Sequence, residues 1–163
     1  IHRSKNKEDK SQLSVIGVLR KVDTASVLFF LGILLAVAGL QSAGHLAVMA
    51  GTLNDWFGGD IYAINIVIGL LSSIVDNVPL VAGSMGMYEV AEVGNFAQDG
   101  TFWQFLAFCA GTGGSALIIG SAAGVAVMGL EKIDFVWYLK KISILALIGY
   151  FAGAGTYILM QSL

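Results

Sequence analysis

Residues 61–88 read IYAINIVIGLLSSIVDNVPLVAGSMGMY, an apolar stretch with one polar interruption near its middle. The interruption is Asp76-Asn77-Val78-Pro79, which places a carboxylate, an amide and a proline between two apolar arms. Each arm has roughly 10 to 15 residues, fewer than the ~20 residues that a helix needs to cross a bilayer. The stretch therefore predicts two short helices that meet at a break, rather than one continuous span.

The composition of the whole chain is that of an integral membrane protein. Among its 163 residues, 56% are hydrophobic and 12% are charged, whereas soluble domains carry roughly 25% charged residues. The 21 glycines suit closely packed membrane helices. A single cysteine, Cys109, excludes an internal disulfide. We therefore expect an all-α integral membrane protein.

Alternation of apolar and polar stretches divides the chain into five predicted parts. They are a cytoplasmic linker with an interfacial helix (1–23), a scaffold transmembrane helix with an outer interfacial segment (24–60), a re-entrant hairpin (61–93), an outer loop with a broken transmembrane helix (94–130), and an interfacial helix with the last transmembrane helix (131–163). The chain begins with the polar residues of a loop and without methionine. We therefore expect it to be the C-terminal part of a longer protein.

Charge placement predicts how these parts cross the membrane. All nine Lys and Arg residues fall within 3–21 and 132–141, whereas the loops around 54–60 and 89–99 contain only acidic charges. Basic loops stay on the cytoplasmic side, so we expect a cytoplasmic N-terminus and an outer C-terminus. Residues 61–88 then start and end outside. Two arms too short to span, with both ends on one side, predict a re-entrant helical hairpin whose tip lies within the membrane.

Asp76 is the residue of this tip that carries the most chemical information. A carboxylate at membrane depth is costly, and it indicates a functional site. On a helix, Ser72 would share a face with Asp76, and Ser73 with Asn77, because each pair is four residues apart. Their oxygens suit a hard cation. A proton and a sodium ion would compete for the same carboxylate, which is a compact mechanism for antiport. The alternative is that Asp76 only caps the helix that begins near Pro79.

A second interruption lies at Gly111-Thr112-Gly113-Gly114-Ser115, inside an apolar stretch that is otherwise long enough to span. Glycine permits unusual backbone angles and exposes carbonyl groups, and Thr112 and Ser115 add hydroxyls. Transporters build ion sites from pairs of discontinuous helices near the membrane midplane. We therefore expect this break to complete the site begun at Asp76. The alternative is a glycine-lined contact between two continuous helices.

Two segments resemble a known family: residues 72–81 (SSIVDNVPLV) and residues 111–124 (GTGGSALIIGSAAG). They are similar to the second half of NhaD-type sodium/proton antiporters, members of the ion transporter superfamily that includes citrate, dicarboxylate and arsenite carriers. The resemblance implies an inverted-repeat transporter half with a re-entrant helical hairpin and a broken transmembrane helix. It also implies an elevator-like motion, a dimer formed through the scaffold, and an N-terminal half that carries the equivalent elements.

The resemblance also implies a cation site at Asp76, Asn77 and Thr112, for sodium or lithium. At the hairpin tip, dicarboxylate carriers resemble Ser-Asn-Thr, whereas this chain has Asp76-Asn77-Val78. The added negative charge favours exchange of a cation for a proton. The complete set of expected ion-binding or proton-coupling residues is Asp76, Asn77, Ser73, Ser72, Thr112, Gly111, Gly113 and Ser115.

These patterns predict a sodium/proton antiporter half that is not an enzyme and that carries sodium or lithium as cargo, without a cofactor. Expected partners are membrane lipid, the N-terminal half of the same transporter and a second copy in a homodimer, with no nucleic acid. The expected location is a bacterial inner membrane or an organellar envelope. Two alternatives remain: an anion carrier of the dicarboxylate or arsenite type, and a non-transporting membrane scaffold or channel subunit.

Overall fold

The computed structural model describes residues 14–15 and 24–163, and these residues form helices and turns without a named strand. In chain order the α-helices are α1 (Thr24–Ser42), α2 (His45–Phe57), α3 (Ile61–Leu71), α4 (Asn77–Met87), α5 (Thr101–Gly113), α6 (Ala122–Glu131), α7 (Phe135–Lys141) and α8 (Ser143–Gln161). The predicted all-helical class is confirmed for this part of the chain. The predicted linker and interfacial helix at 1–23 lie outside the described residues, apart from 14–15.

The chain divides into two units, Ile1–Leu35 and Ala36–Leu163. In the first unit, the described residues 24–35 form the beginning of α1. The second unit contains the rest of α1 and all other helices, and it includes every residue of the predicted site.

The long apolar helices have the dimensions of membrane spans. α8 has 19 residues and is apolar enough to cross a membrane. A second candidate span combines residues Leu31–Ser42 of α1 with α2, and the two helices are bent by 73° at their break. Gly44 at this break has φ 75°, which glycine adopts at little steric cost. α3 is apolar but has only 11 residues, fewer than the ~20 that a helix needs to cross a bilayer.

α3 and α5 form the centre of the second unit and run parallel to each other. Near their N-termini, the side-chain amide of Asn65 donates to the carbonyl of Phe102 (3.1 Å). Near their C-termini, the hydroxyl of Ser72 donates to the carbonyl of Ala110 (2.8 Å). Apolar side chains fill the space around them in two clusters, one including Ile64, Ile68, Phe102 and Leu106, the other including Phe105, Cys109, Tyr150 and Ala154.

The other helices pack around this pair. α8 lies against α5, and the phenol of Tyr150 donates to the carbonyl of Ile66 in α3 (2.8 Å). α4 lies against α2 and α5. Tyr150 is close to Cys109, and Tyr157 bonds to Gln104, so α8 runs antiparallel to α5. The parallel pair α3–α5 is therefore held on one side by α8 and on another by α4.

The predicted helix–break–helix at residues 61–88 is present. α3 ends at Leu71, α4 begins at Asn77, and each helix has 11 residues. We call residues 72–76 the first break. The re-entrant course of these helices through a membrane, the inverted repeat and the five domain boundaries remain predictions.

A break in the second apolar stretch is also present, but it begins later than predicted. α5 continues through Gly113 and is followed by two short 3₁₀ turns, Gly114–Ala116 and Ile118–Gly120. Extended residues Leu117 and Ser121 separate these turns and precede α6. We call residues 114–121 the second break. Gly111 and Gly113 stay helical because glycine permits a break without enforcing one, and Gly113 is held against α3.

Candidate functional site

Asp76 lies directly before α4 and caps its first turn. Its backbone is extended (φ −50°, ψ 141°), and its carboxylate Oδ1 accepts a hydrogen bond from the N–H of Asn77 (2.9 Å). The side chain is half-buried. No hydrogen bond to Oδ2 is found among the described residues. The capping role weighed from the sequence is thus present, and it leaves one carboxylate oxygen available for another ligand.

The two serines of the first break do not have the helical relation to Asp76 and Asn77 that their spacing suggested. α3 ends at Leu71, so the four-residue spacing no longer places their side chains on one helical face. Ser72 is fully buried and donates to Ala110 of α5. Ser73 is also buried and donates to the carbonyl of Leu70 in its own turn (2.7 Å).

Asn77 and Gly111 line one groove between α4 and α5. The groove has a volume of about 670 Å³. Its other walls are mostly apolar and include Val78, Val81, Ala82 and Met85 on α4 and Trp103, Leu106, Ala107 and Ala110 on α5. Because Asn77 begins α4 and Gly111 is in the last turn of α5, the two residues lie at the same end of the groove. The structure therefore brings together one residue from each predicted motif.

The remaining predicted residues have other surroundings. Thr112 is exposed, and its hydroxyl donates to the carbonyl of Phe108 one turn earlier (2.6 Å). Ser115 is exposed, and its carbonyl accepts from the phenol of Tyr138 in α7 (2.9 Å). Gly113 is buried, and a Cβ atom added there would overlap the carbonyl oxygen of Gly69 in α3. Gly113 thus allows α5 to approach α3 closely.

The two breaks touch each other through their backbones. A Cβ added at Gly120 would lie 2.8 Å from the carbonyl oxygen of Ser72 and 2.8 Å from the Cα of Ser73. A Cβ added at Gly114 would lie 3.3 Å from the Oγ of Ser72. Gly120 belongs to the segment 111–124 that resembles the NhaD-type antiporters, and it lies outside the interruption predicted at 111–115. The unusual density of glycine at 111–124 was the available signal for this contact, but it does not reveal the partner.

The two breaks bring together helix ends of both signs: the C-terminal ends of α3 and α5, and the N-terminal ends of α4 and α6. The C-terminal ends of α3 and α5 meet beside the breaks, and the last carbonyls of a helix carry partial negative charge without intrahelical partners. Asp76 adds a formal negative charge to the same first break. Two helix C-termini and a half-buried carboxylate provide oxygen ligands that favour a hard cation.

The family follows from a comparison with known proteins. Residues 10–103 match the CitMHS family, described as citrate transporter, and this match covers more than half of the chain. The chain belongs to the citrate transporter (CitMHS) family. It is therefore a membrane protein of a transporter family, and the first of its two motifs lies inside the matched residues.

Individual relatives of this CitMHS chain carry antiporter names. Sodium/proton antiporter 1 of Arabidopsis thaliana is 50% identical over 155 residues, which are 95% of this chain and 26% of that protein. Sodium/proton antiporter 2 of the same plant is 46% identical over 154 residues, 94% of this chain and 36% of that protein. The Na(+)/H(+) antiporter NhaD of Halomonas elongata is 36% identical over 139 residues, 84% of this chain and 26% of that protein.

These relatives confirm the resemblance to NhaD-type antiporters that the two motifs indicated. The CitMHS chain spans about a quarter to a third of the length of the relatives described above: 26% of the first and third and 36% of the second. No solved structure matches the chain.

Proposed function

We propose that this chain forms part of a secondary transporter that exchanges sodium or lithium for protons. The observation that carries the proposal is the meeting of two helix C-termini with the half-buried carboxylate of Asp76 at two touching breaks. Such an arrangement attracts a cation and offers it oxygen ligands. The antiporter names of the relatives support the same function.

In this mechanism Asp76 binds either a proton or the cation. Its Oδ1 accepts from the N–H of Asn77, which leaves Oδ2 for the exchanged proton or cation. The amide oxygen of Asn77 and the carbonyl of Gly111 supply neutral ligands at the end of the groove that they share. Since a proton neutralises the charge that the cation needs, occupancy by one disfavours the other. The rest of the protein completes the ligand shell.

A second candidate function is anion transport, and the family description as citrate transporter favours it. A helix N-terminus is a ready site for an anionic group, and α4 begins at the first break. However, Asp76 itself occupies the N-terminus of α4. An anionic substrate would have to approach this carboxylate, so cation exchange is the better proposal.

The proposal includes a membrane topology and partners. The pair α1–α2, the broken helix formed by α5 and α6, and α8 cross the membrane. α3 and α4 form a re-entrant hairpin, and residues 132–141 lie on the cytoplasmic side with the N-terminus. The N-terminal half of the same transporter covers the groove between α4 and α5. The complete transporter is a homodimer in a bacterial inner membrane or an organellar envelope.

The test of this function is sodium-driven proton movement in vesicles that contain the full-length protein. We expect Asp76→Asn to abolish exchange, because the amide cannot release a proton or neutralise a cation. Asn caps a helix about as well as Asp, so the variant should insert normally. The matched control is Asp60→Asn, since exposed Asp60 caps α3 through the N–H groups of Tyr62 and Ala63. Asp60→Asn should exchange like the native protein.

Two other outcomes would reject parts of the proposal. If Asp76→Asn exchanges as fast as the native protein, Asp76 only caps α4 and the coupling carboxylate lies elsewhere. If the native protein ignores sodium gradients but accumulates citrate, the anion-carrier function replaces the antiporter.

A further inference from the structure

The surroundings of Ser72 differ from those expected for a cation ligand. Its side chain is 0% exposed, and its hydroxyl donates to the carbonyl of Ala110 across the α3–α5 interface. We propose that Ser72 is a positioning residue that fixes the end of α5 against the first break, and that it does not bind the transported cation. This inference rests on the proposed exchange of sodium for protons.

The hydrogen bond of Ser72 stabilises a carbonyl that α5 leaves open. Ala110 is in the last turn of α5, where carbonyl groups have no intrahelical partner. The N–H of Gly114, four residues after Ala110, bonds instead to the carbonyl of Thr112. Ser72 therefore replaces the missing helical donor from a position 38 residues earlier in the chain. Without it, the carbonyl of buried Ala110 would lose this donor, which is costly in an apolar environment.

The packing around Ser72 leaves little room for an ion. Its Oγ would lie 3.3 Å from a Cβ at Gly114, and its carbonyl oxygen 2.8 Å from a Cβ at Gly120. The second break thus covers Ser72 with backbone, which only glycine permits at such short distances. By contrast, Asn77 and Gly111 line an open groove. The cation is expected there, and Ser72 sets the relative position of the residues that bind it.

The positioning role and a ligand role predict different results for Ser72→Cys. A thiol is a poor ligand for a hard cation such as sodium, but it can donate a weak hydrogen bond to Ala110. If Ser72 positions α5, we expect Ser72→Ala to raise the half-saturating sodium concentration about tenfold, as for loss of a buried hydrogen bond, and Ser72→Cys to restore part of it. If Ser72 binds the cation, Ser72→Cys should be no better than Ser72→Ala.

A matched control separates this role from the general cost of deleting a buried hydroxyl. Ser84 in α4 is also 0% exposed, but its hydroxyl donates to the carbonyl of Leu80 within its own helix (2.9 Å). We expect Ser84→Ala to leave the half-saturating sodium concentration near the native value. An effect equal to that of Ser72→Ala would overturn the positioning role.

A second readout does not require transport. Gly111 is exposed, and a Cβ there meets nothing within 4 Å, so Gly111→Cys can report on the last turn of α5. We expect Ser72→Ala to increase the rate at which this cysteine reacts with a thiol reagent in the absence of sodium. Full-length protein without the introduced cysteine gives the background.

The two readouts keep this inference distinct from the proposed function. If the native protein shows no sodium-driven exchange while Ser72→Ala still accelerates labelling at position 111, the antiporter function fails and the positioning role stands. If the labelling rate is unchanged and Ser72→Cys behaves like Ser72→Ala in exchange, the positioning role is wrong.

Discussion

At the scale of single residues, two glycines in the last turn of α5 have different roles. Gly113 is buried where α5 crosses α3, and a Cβ there would overlap the carbonyl of Gly69. Gly111 is exposed, and a Cβ there meets no atom within 4 Å. The sequence presents both as members of one glycine-rich motif. Their environments show that only Gly113 is required for the close approach of the two helices.

This difference makes a prediction about stability. Gly113→Ala should lower the free energy of unfolding by about 1–3 kcal/mol, because overpacking forces the backbones apart. Gly111→Ala should be neutral or stabilising by up to about 1 kcal/mol, since alanine favours the helix. Thermal unfolding of the purified full-length variants in one detergent measures both effects. Equal losses of stability in the two variants would contradict the assigned crossing point.

At the scale of elements, the sequence identified both breaks but not the contacts between them. The first break follows from a carboxylate and a proline in an apolar run, and its helices end at Leu71 and begin at Asn77. The start of the second break could be predicted only approximately, because glycine is compatible with both helical and non-helical backbone. Packing of Gly113 against α3 decides that α5 continues. The bond between Ser72 and Ala110 joins residues 38 apart, and no local pattern encodes such a pairing.

The link between α8 and α3 gives a prediction for these elements. The phenol of Tyr150 is buried and donates to the carbonyl of Ile66 (2.8 Å). Tyr150→Phe keeps the ring and removes this bond, so we expect a loss of about 0.5–1.5 kcal/mol in unfolding free energy. The control is Tyr157→Phe on the same helix, whose phenol makes a longer bond to exposed Gln104 (3.2 Å). Unfolding in detergent should show a smaller loss for Tyr157→Phe, and a reversed order would exclude Tyr150 as the main polar link.

At the scale of the whole molecule, helix directions and charge placement agree with one topology. α3 and α5 run parallel, and α8 runs antiparallel to α5. If α3 and α5 both begin on the outer side, they run inward. Because α8 is antiparallel to α5, α8 must then run outward. In the described residues all Lys side chains lie at 132–141, between α6 and α8. The positive-inside rule predicts that this segment lies in the cytoplasm, as the proposed inward direction of α5 and outward direction of α8 require.

This topology can be tested by cysteine labelling from one side of the membrane. Positions 55 and 99 are exposed and flank the predicted hairpin, whereas position 140 is exposed in α7. We expect an impermeant thiol reagent added outside to label Asp55→Cys and Asp99→Cys but not Lys140→Cys in the full-length protein. Lys140→Cys should react only after the membrane is opened, which also shows that the residue is reactive. Labelling of positions 55 and 99 from opposite sides would mean that residues 61–88 cross the membrane. Asp76 would then lie within a crossing segment instead of at the tip of a hairpin, and access to the proposed site would need a different pathway.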